Sequence, residues 1–487
     1  MKKNLKEAYD AEHFRKEGHA LIDMLADYLE DMQDHPNEHK AITWTNPEDS
    51  LEYWEAEAEM EKPKSWSKWL MHIVDKSVHL HHPHYMGHQI SPVLPMSALS
   101  GFVSDFLNNG MGVYEMGVVS STLERVVVER VAKKIGYNDE AGGVLTSGGT
   151  LGNLTALLCA RSLKASTEVW QTGSDEQLAL MVSEEAHYCV DRAARIMGWG
   201  EAGIIKVPSN DKFQMQTDLL PKYLKEATEK GIKVIAVVGS ACSTSTGSYD
   251  DLEAIADFCE TNDLWFHVDG AHGAAAIYSE KYKSVVKGIE RADSVVLDFH
   301  KMLLTPSVTT ALVFKKVENS YKTFAQKADY LWNQQEDQEW YNLAKRTFEC
   351  TKLMMSIKAF TGLRYYGEEV FDEYVTTVMD LGKKLAKLVN EKKCFQLAVE
   401  PQSNIVCFRY IPDENMPASM LNHMNDEIRT QILMMGDYYI VKTKINDEIW
   451  LRTTLTNAFT TEEMLGNMLR LVEVLGTNQT RSRMLNY

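Results

Sequence analysis

The residues with the clearest chemical potential follow apolar runs that are typical of buried strands. The run SVVL is followed by DFHK, which contains His300 and Lys301, and the run LWFHV is followed by Asp269. Lysine and aspartate are rarely buried without a partner or a function. A lysine amine in such a position can form a Schiff base with a carbonyl group. The pattern therefore predicts a ligand site at the ends of these strands.

Two further strand ends carry groups that suit the rest of a ligand. After GVLT, the segment SGGTLGN places Gly149 and Thr150 at the start of a predicted helix, where free N–H groups and the helix dipole favour an anion. LALMVS is followed by His187, and KVIAVV by a hydroxyl-rich loop with Thr244. Alone, the glycine segment and the hydroxyl-rich loop are explained as well by an ordinary turn or loop, and a single histidine at a strand end is more often a structural residue. Together they favour one site, because ligands bind at the carboxyl ends of strands in open α/β sheets.

The combined set of groups matches the needs of pyridoxal 5′-phosphate. Its phosphate needs an anion cradle, its aldehyde needs a lysine, and its ring nitrogen needs a carboxylate to stay protonated. We therefore predict that Lys301 reaches the aldehyde and that Asp269 pairs with the ring nitrogen.

The elements that must position these residues follow from hydrophobic periodicity. Residues 11–34 have the apolar spacing of an amphipathic helix, and residues 48–76 and 96–108 also read as helical. From about residue 120, short apolar runs alternate with amphipathic helices; these runs are the five named above and TTALVFKK. This alternation predicts an α/β fold with a mainly parallel sheet.

A change of pattern after about residue 350 indicates a smaller C-terminal part. A long helical segment there precedes strands such as IVCFRY and EIWLRTTL, and a final helix closes the chain. We predict an N-terminal helical segment over residues 1–90, a large cofactor-binding domain over 91–365, and a small α+β domain over 366–487.

Composition limits the partners of the protein. The chain has 487 residues, 44% of them apolar and 25% charged, with a formal net charge of −18. An acidic chain without Lys/Arg blocks argues against nucleic acid or an anionic membrane surface as partner. Its seven cysteines form no C-x-x-C pair, which argues against a zinc cage or a disulfide framework. Without an apolar signal-peptide core or a membrane-length apolar run, a cytoplasmic protein is expected.

Four motifs give the chain a strong resemblance to a known family. TSGGTLGN, AHYCVDRAA, HVDGAHG and DSVVLDFHKML resemble the group II pyridoxal-phosphate-dependent amino-acid decarboxylases, and the likeness runs nearly end to end. FRKEGHALIDMLADYL is similar to the family's swapped N-terminal helices. The resemblance implies the aspartate aminotransferase-like fold, fold type I, with a seven-stranded sheet. It also implies a homodimer whose active site lies at the subunit boundary.

The resemblance assigns roles to individual residues. Lys301 would form the Schiff base, Asp269 would hold the pyridinium, and His187 and Ala271 would contact opposite faces of the ring. Gly149, Thr150 and His300 would hold the phosphate. Thr244 would lie near the 3-hydroxyl side of the cofactor. Residues implied on the substrate side are Arg452 for the α-carboxylate, and His88, Gln89 and Ser91 in the side-chain pocket.

Some features depart from the family pattern or leave alternatives open. Asp298 stands where many members have asparagine, which adds a negative charge near the phosphate. The tyrosine of the catalytic loop is either Tyr330 or Tyr341, and we favour Tyr341. The histidine-rich segment HLHHPHYMGH lacks H-E-x-x-H or a comparable pattern, so no metal is predicted.

The expected reaction is decarboxylation of an L-amino acid to an amine and CO2. Two alternatives remain open, namely oxidative deamination to an aldehyde on the same residues and a non-catalytic relative that only binds the cofactor. Glutamate, aspartate, 2,4-diaminobutyrate and aromatic amino acids all remain candidate substrates, although the polar His88 and Gln89 favour a polar side chain.

Overall fold

The computed structural model describes residues 2–324 and 339–484. Its contacts divide the chain into two compact units. Unit 1 comprises Met1–His88, Lys383–Ala398 and Cys407–Tyr487, and unit 2 comprises Gln89–Gly382 and Val399–Val406. Compactness by itself does not define domains, so the predicted boundaries at residues 90 and 365 stay a prediction.

The helices and strands follow in chain order. The α-helices are α1 Lys3–Ala8, α2 Ala11–Asp34, α3 Pro47–Ala58, α4 Trp66–Asp75, α5 Pro95–Leu107, α6 Val118–Ile135, α7 Gly149–Lys164, α8 Val169–Thr172, α9 Tyr188–Ile196, α10 Leu220–Glu229, α11 Leu252–Thr261, α12 Phe299–Met302, α13 Met355–Thr361, α14 Glu369–Asn390, α15 Ala418–Met435 and α16 Glu462–Met484. The strands are β1 Gly142–Thr146, β2 Leu178–Ser183, β3 Ile204–Val207, β4 Lys233–Ser240, β5 Trp265–Asp269, β6 Ser294–Asp298, β7 Thr310–Phe314, β8 Phe395–Leu397, β9 Ile405–Tyr410, β10 Val441–Ile445 and β11 Glu448–Thr454.

The large sheet of unit 2 has seven strands in the order β1-β7-β6-β5-β4-β2-β3. Strands β6, β5, β4, β2 and β3 pair in parallel, whereas β7 runs antiparallel to both β1 and β6. The prediction of an α/β fold with a mainly parallel seven-stranded sheet is confirmed. Strand β3, a four-residue edge strand that contains a lysine, was not predicted.

Helices cover the sheet and bury its strands on both faces. Every residue of β2, β5 and β6 is buried, which is typical of parallel sheets. Leu157 of α7 and Val190 of α9 belong to the same core cluster as Val296 of β6. Because α7 and α9 directly follow β1 and β2, the helix N-termini lie at the carboxyl ends of those strands.

Two helical segments predicted as continuous are interrupted. Residues 48–76 form α3 and α4, because Pro63 lacks an N–H group and Ser65 caps the start of α4 through the N–H of Lys68. The long segment after residue 350 forms α13, a π-helical turn over Gly362–Tyr366, and α14. Gly367 has a φ of +85°, a conformation that glycine adopts easily and that ends the first helical stretch.

The smaller sheet has the strand order β10-β11-β9-β8. Strands β10 and β11 form an antiparallel hairpin in which Val441 pairs with Arg452. Its two turn residues, Asn446 and Asp447, have φ values of +49° and +65°, as a tight hairpin turn requires. No helix within the described residues is both long and apolar enough to span a lipid bilayer.

A buried ion pair closes the free edge of β1. The N–H of Leu145 donates to Glu124 Oε1 at 3.0 Å, and Lys352 Nζ donates to the Leu145 carbonyl at 2.7 Å. Lys352 Nζ also lies 2.6 Å from Glu124 Oε1, and both side chains are buried. The pair thus supplies the donor and acceptor that a neighbouring strand would provide. It holds β1 immediately before the predicted anion cradle.

We predict that Lys352→Met lowers the free energy of unfolding by about 3–5 kcal/mol, because Glu124 is left as an unpaired buried charge. Urea denaturation checks this value. The double variant Glu124→Leu/Lys352→Met should recover part of the loss, since no buried charge remains, although the backbone groups of Leu145 stay unpaired. Equal stability of Lys352→Met and the wild type would contradict the role of the pair.

Candidate active site

Unit 2 contains a cavity of about 240 Å³ at the carboxyl ends of the large sheet. The residues predicted to bind the cofactor all line this cavity: Gly149, Thr150, His187, Thr244, Asp269, Ala271, His300 and Lys301. They come from segments spread over about 150 residues of sequence, and the sheet order brings them together. Their individual roles toward the cofactor stay predictions.

Lys301 lies on the one-turn helix α12, directly after β6, and its amine is paired. Its Nζ is 3.1 Å from Asp298 Oδ2. Burial disfavours the charged amine, but the negative charges of Asp298 and Asp269 outweigh burial and raise the pKa of Lys301. The protein's own charges therefore favour the ammonium form of this amine.

Asp269 is the last residue of β5, and His187 lies close to it. Asp269 Oδ1 accepts the N–H of Ala271 at 3.3 Å, which orients the carboxylate. The ligand atoms of His187, Cys189 and Asp269 lie within 4.8 Å of one another. Burial lowers the pKa of His187, and the charge of Asp269 opposes this effect. His187 Nδ1 accepts the N–H of Cys189 at 3.3 Å, so the ring caps α9 and is held in place.

A buried polar chain behind the cavity leads to Asp269. Ser294 Oγ lies 2.8 Å from His267 Nδ1, His267 Nε2 lies 2.8 Å from Asn153 Oδ1, and Asn153 Nδ2 donates to Cys189 Sγ at 3.2 Å. Cys189 Sγ is 4.0 Å from Asp269 Oδ2. Burial lowers the pKa of His267 to about 4, so the ring is neutral and donates from Nε2 to the Asn153 oxygen. Each group of the series therefore has a polar partner, and the series ends beside Asp269.

His267 and Asn153 were not predicted from the sequence. Both residues lie inside apolar runs, WFHV and LGNLTALL. A polar residue within such a run needs a buried partner, and this was the available signal. The partner itself lies 114 positions away in the sequence and could not be identified without the sheet order.

The predicted anion cradle at the start of α7 leaves no room for a side chain at Gly149. A Cβ atom on Gly149 would lie 3.2 Å from both carboxylate oxygens of Asp298 and 3.3 Å from Ala271 Cβ. Glycine therefore keeps the start of α7 open for a ligand. His300 Nδ1 lies 3.1 Å from the Thr309 carbonyl and 3.2 Å from the Thr309 nitrogen, which fixes the histidine ring at the cavity wall.

These residues fit pyridoxal 5′-phosphate. One cavity offers a lysine for the aldehyde, a carboxylate for the ring nitrogen and an open helix N-terminus for the phosphate. The fit rests on this donor set and on the space that Gly149 leaves.

The residues predicted on the substrate side and the tyrosine favoured for the catalytic loop are not among those that line this cavity: His88, Gln89, Ser91 and Arg452 for the first, and Tyr341 for the second. Ser91 and Arg452 are buried, and the ring of Tyr341 packs against Tyr114 at a centroid distance of 5.6 Å. Tyr330 lies outside the described residues. The roles of all these residues stay predictions.

The histidines of HLHHPHYMGH have structural contacts. His79 Nδ1 lies 3.0 Å from the Tyr28 hydroxyl, and His82 Nε2 lies 2.9 Å from the Pro36 carbonyl. Within residues 2–324 and 339–484, the histidines of this segment belong to no group of three or more metal-ligating side chains.

Comparison with known proteins identifies the family. A family described as the pyridoxal-dependent decarboxylase conserved domain matches residues 47–411. The chain belongs to this family. It is 27% identical to an aromatic-L-amino-acid decarboxylase of Bacillus atrophaeus over 482 residues, which cover 97% of each chain. It is 30% identical to the L-aspartate decarboxylase dtxS4 of Metarhizium robertsii, with 72% of this chain and 71% of the relative covered.

A solved structure confirms the fold. Mouse CSAD superposes with a TM-score of 0.87 at 21% identity, covering 96% of this chain and 99% of that chain. The predicted fold type I is thus confirmed, as is membership of the pyridoxal-phosphate-dependent decarboxylases. The protein is a carboxy-lyase that decarboxylates an amino acid with pyridoxal 5′-phosphate. Oxidative deamination is not favoured.

We predict that Gly149→Ala weakens cofactor binding while the fold is retained. The added methyl group crowds Asp298 and Ala271, and overpacking of this kind costs about 1–3 kcal/mol, or about 5- to 150-fold in the dissociation constant. Titration of cofactor-free enzyme, followed by absorbance, measures this constant. Gly466→Ala is the control, because the nearest atom to its added Cβ is 4.0 Å away. Equal affinity of Gly149→Ala and the wild type would contradict the cradle.

Proposed function

We propose that the enzyme decarboxylates an L-amino acid with a polar side chain to the corresponding amine and CO2. The amine of Lys301, the carboxylate of Asp269 and the open start of α7 line one cavity. This observation supports the roles that we assign to these residues. When bound, pyridoxal phosphate supplies a protonated ring that accepts the electrons of the breaking bond to CO2.

The chain's own residues would hold and orient that ring. Asp269 would keep a proton on the ring nitrogen, because its carboxylate is oriented by the N–H of Ala271. His187 would contact one ring face and Ala271 the other, and the fixed position of His187 would keep the ring in one plane. Lys301 would attach to the aldehyde. These positions limit the motion of the reacting groups, which lowers the entropic part of the barrier.

The phosphate and the hydroxyl side would be held by the remaining cavity residues. The N–H groups at Gly149 and Thr150 would bind the phosphate, together with His300. Thr244 would lie near the 3-hydroxyl side. Backbone donors at a helix start are fixed in direction, so they cost little conformational entropy when an anion binds.

The substrate carboxylate would be received by Arg452. This arginine is 5% exposed and lies on β11, where the sheet limits its motion. Burial lowers the pKa of His88, and the positive charges of Arg452 and Arg429 lower it further. A region of unit 1 with two arginines near His88 suits a negatively charged substrate group. We propose that His88, Gln89 and Ser91 contact a polar substrate side chain.

We predict that L-aspartate and L-glutamate release CO2 faster than L-phenylalanine, L-tyrosine and L-tryptophan, because the two arginines near His88 favour a negatively charged side chain. The two relatives described above differ on this point, since one is named for aspartate and the other for aromatic amino acids. A CO2-release assay over this panel, with ammonia and peroxide measured in parallel, checks the prediction. A preference for aromatic amino acids would overturn the substrate proposal, and stoichiometric ammonia and peroxide would overturn the reaction.

In the same assay, Lys301→Ala should fold normally but lose about 1,000-fold or more of its activity. Borohydride treatment of the loaded wild type should attach the cofactor to the peptide that contains Lys301. Label on Lys315 or Lys316 instead would overturn the site assignment.

We propose that the enzyme is a homodimer. Apolar side chains between residues 102 and 119 of unit 2 are exposed, and we call them the apolar strip: Phe102 is 54%, Phe106 68%, Tyr114 38% and Val119 66% exposed. Large exposed apolar patches mark interaction surfaces. Tyr341 packs against Tyr114, which belongs to the same strip, so we propose that Tyr341 serves the active site of the second copy.

Charge and cysteine chemistry support the other assignments. The net charge of −18 disfavours binding to nucleic acid. All seven cysteines are free thiols, as in proteins of reducing compartments, and we propose a cytoplasmic location.

We predict that the wild type sediments as a dimer and that Phe106→Ser/Val119→Ser shifts it toward monomer, because the variant removes apolar contact area. Sedimentation velocity at several concentrations measures the shift. Ile196→Ser is the control, since this residue is 63% exposed but lies outside the strip. A stable, active wild-type monomer would contradict the dimer.

A further inference from the structure

Asp298 is a buried carboxylate with no assigned role toward the phosphate, the aldehyde or the ring nitrogen of the cofactor. It is the last residue of β6, is 2% exposed and lines the cavity. Its Oδ2 lies 3.1 Å from Lys301 Nζ and 3.7 Å from His300 Nε2, and its Oδ1 accepts the hydroxyl of Thr310. The strand register pairs Asp298 directly with Thr310, so the carboxylate is held from the neighbouring strand. Both oxygens are therefore oriented by fixed groups.

The position of this carboxylate brings a negative charge to the start of α7. Both oxygens lie 3.2 Å from the point where a Cβ atom on Gly149 would stand, and the N–H of Gly149 is expected to bind the phosphate. The helix dipole tolerates one negative group there, but a phosphate and a carboxylate repel each other. The nearest positive group to this charge is the amine of Lys301, 3.1 Å from Asp298 Oδ2, which points to a role of Asp298 toward that amine.

We propose that Asp298 positions Lys301 and holds its amine as the ammonium ion until the cofactor attaches, so that Asp298 sets the pH dependence of cofactor loading. This inference rests on the proposed attachment of the cofactor to Lys301. Attachment needs the free amine. The ammonium first gives one proton to Asp298 or to solvent, the nitrogen lone pair then bonds to the aldehyde carbon, and the aldehyde oxygen leaves as water with the two remaining amine protons.

The other groups that face Lys301 do not replace Asp298. Burial raises the pKa of the Cys189 thiol to about 12, and burial lowers the pKa of His187, so both are neutral near pH 7. His300 is held at Nδ1 by Thr309. Asp269 is the other negative charge that favours the ammonium, and it is assigned to the ring nitrogen. Asp298 makes the direct contact.

The first test uses cofactor-free enzyme, so it does not depend on the role of Lys301 in catalysis. Acetic anhydride labelling of Lys301 is measured against pH by peptide mass spectrometry. In the wild type, the labelling midpoint of Lys301 should be no lower than that of exposed lysines in the same sample, although burial alone would lower it. Asp298→Asn should move the midpoint down by about 1–3 pH units, because an adjacent opposite charge is lost.

A matched control separates charge from structural damage. Asp293 directly precedes the same strand at its other end, where its carboxylate accepts the N–H of Phe266 at 2.9 Å. Asp293→Asn should leave the Lys301 midpoint unchanged. Asp298→Ser removes the same charge with a different side chain and should agree with Asp298→Asn, so the test stands if one variant folds poorly. An unmoved midpoint in the folded Asp298 variant, or an equal shift in Asp293→Asn, would overturn the proposal.

The second test follows cofactor loading by absorbance after mixing cofactor-free enzyme with pyridoxal 5′-phosphate. The rate should rise with pH in the wild type, because each pH unit below the pKa changes the free-amine fraction tenfold. In Asp298→Asn the whole rate profile should shift to lower pH by the same interval as the labelling midpoint. A labelling shift without a loading shift would show that Asp298 controls the lysine but not attachment, and this part of the proposal would fail.

Discussion

The placement of a lysine amine beside two carboxylates is the constraint on which the site depends. Lys301 Nζ lies 3.1 Å from Asp298, and the charge of Asp269 adds to the same field. A single charge of either sign in this cavity would carry a large desolvation cost, whereas neighbouring opposite charges offset it. The carboxyl edge of the parallel sheet makes this arrangement available, because strand ends from distant parts of the chain meet there.

The surrounding structure keeps these charges in place through fully buried polar contacts. The series Ser294–His267–Asn153 supports Cys189 beside Asp269. At the other side of the sheet, Glu124 and Lys352 satisfy the free edge of β1, immediately before the cradle. Both sets of contacts are polar groups in an apolar core, so a single missing partner would leave an unsatisfied buried group. Rearranging the core beneath the site would break such contacts and cost free energy, so the core restrains the site.

Much of the fold was predictable because hydrophobic periodicity is a local property. The strand-helix alternation from residue 120 predicted the parallel sheet, and six of its seven strands were identified. Helix ends were harder to predict: α3 and α4 read as one helix, because the effect of Pro63 depends on the capping by Ser65. The edge strand β3 was missed, since four residues with a central lysine have no clear alternation.

The sequence by itself determined the chemistry of the site: a lysine, a carboxylate and a helix start placed after successive strands, and with them the cofactor. Only the tertiary structure decided which groups meet. The contact of Asp298 with Thr310, and of His267 with Asn153, depends on strand order and register, which periodicity along one strand does not contain. The charge state of Lys301 is decided in the same way, because it depends on distances between side chains rather than on their spacing in the chain.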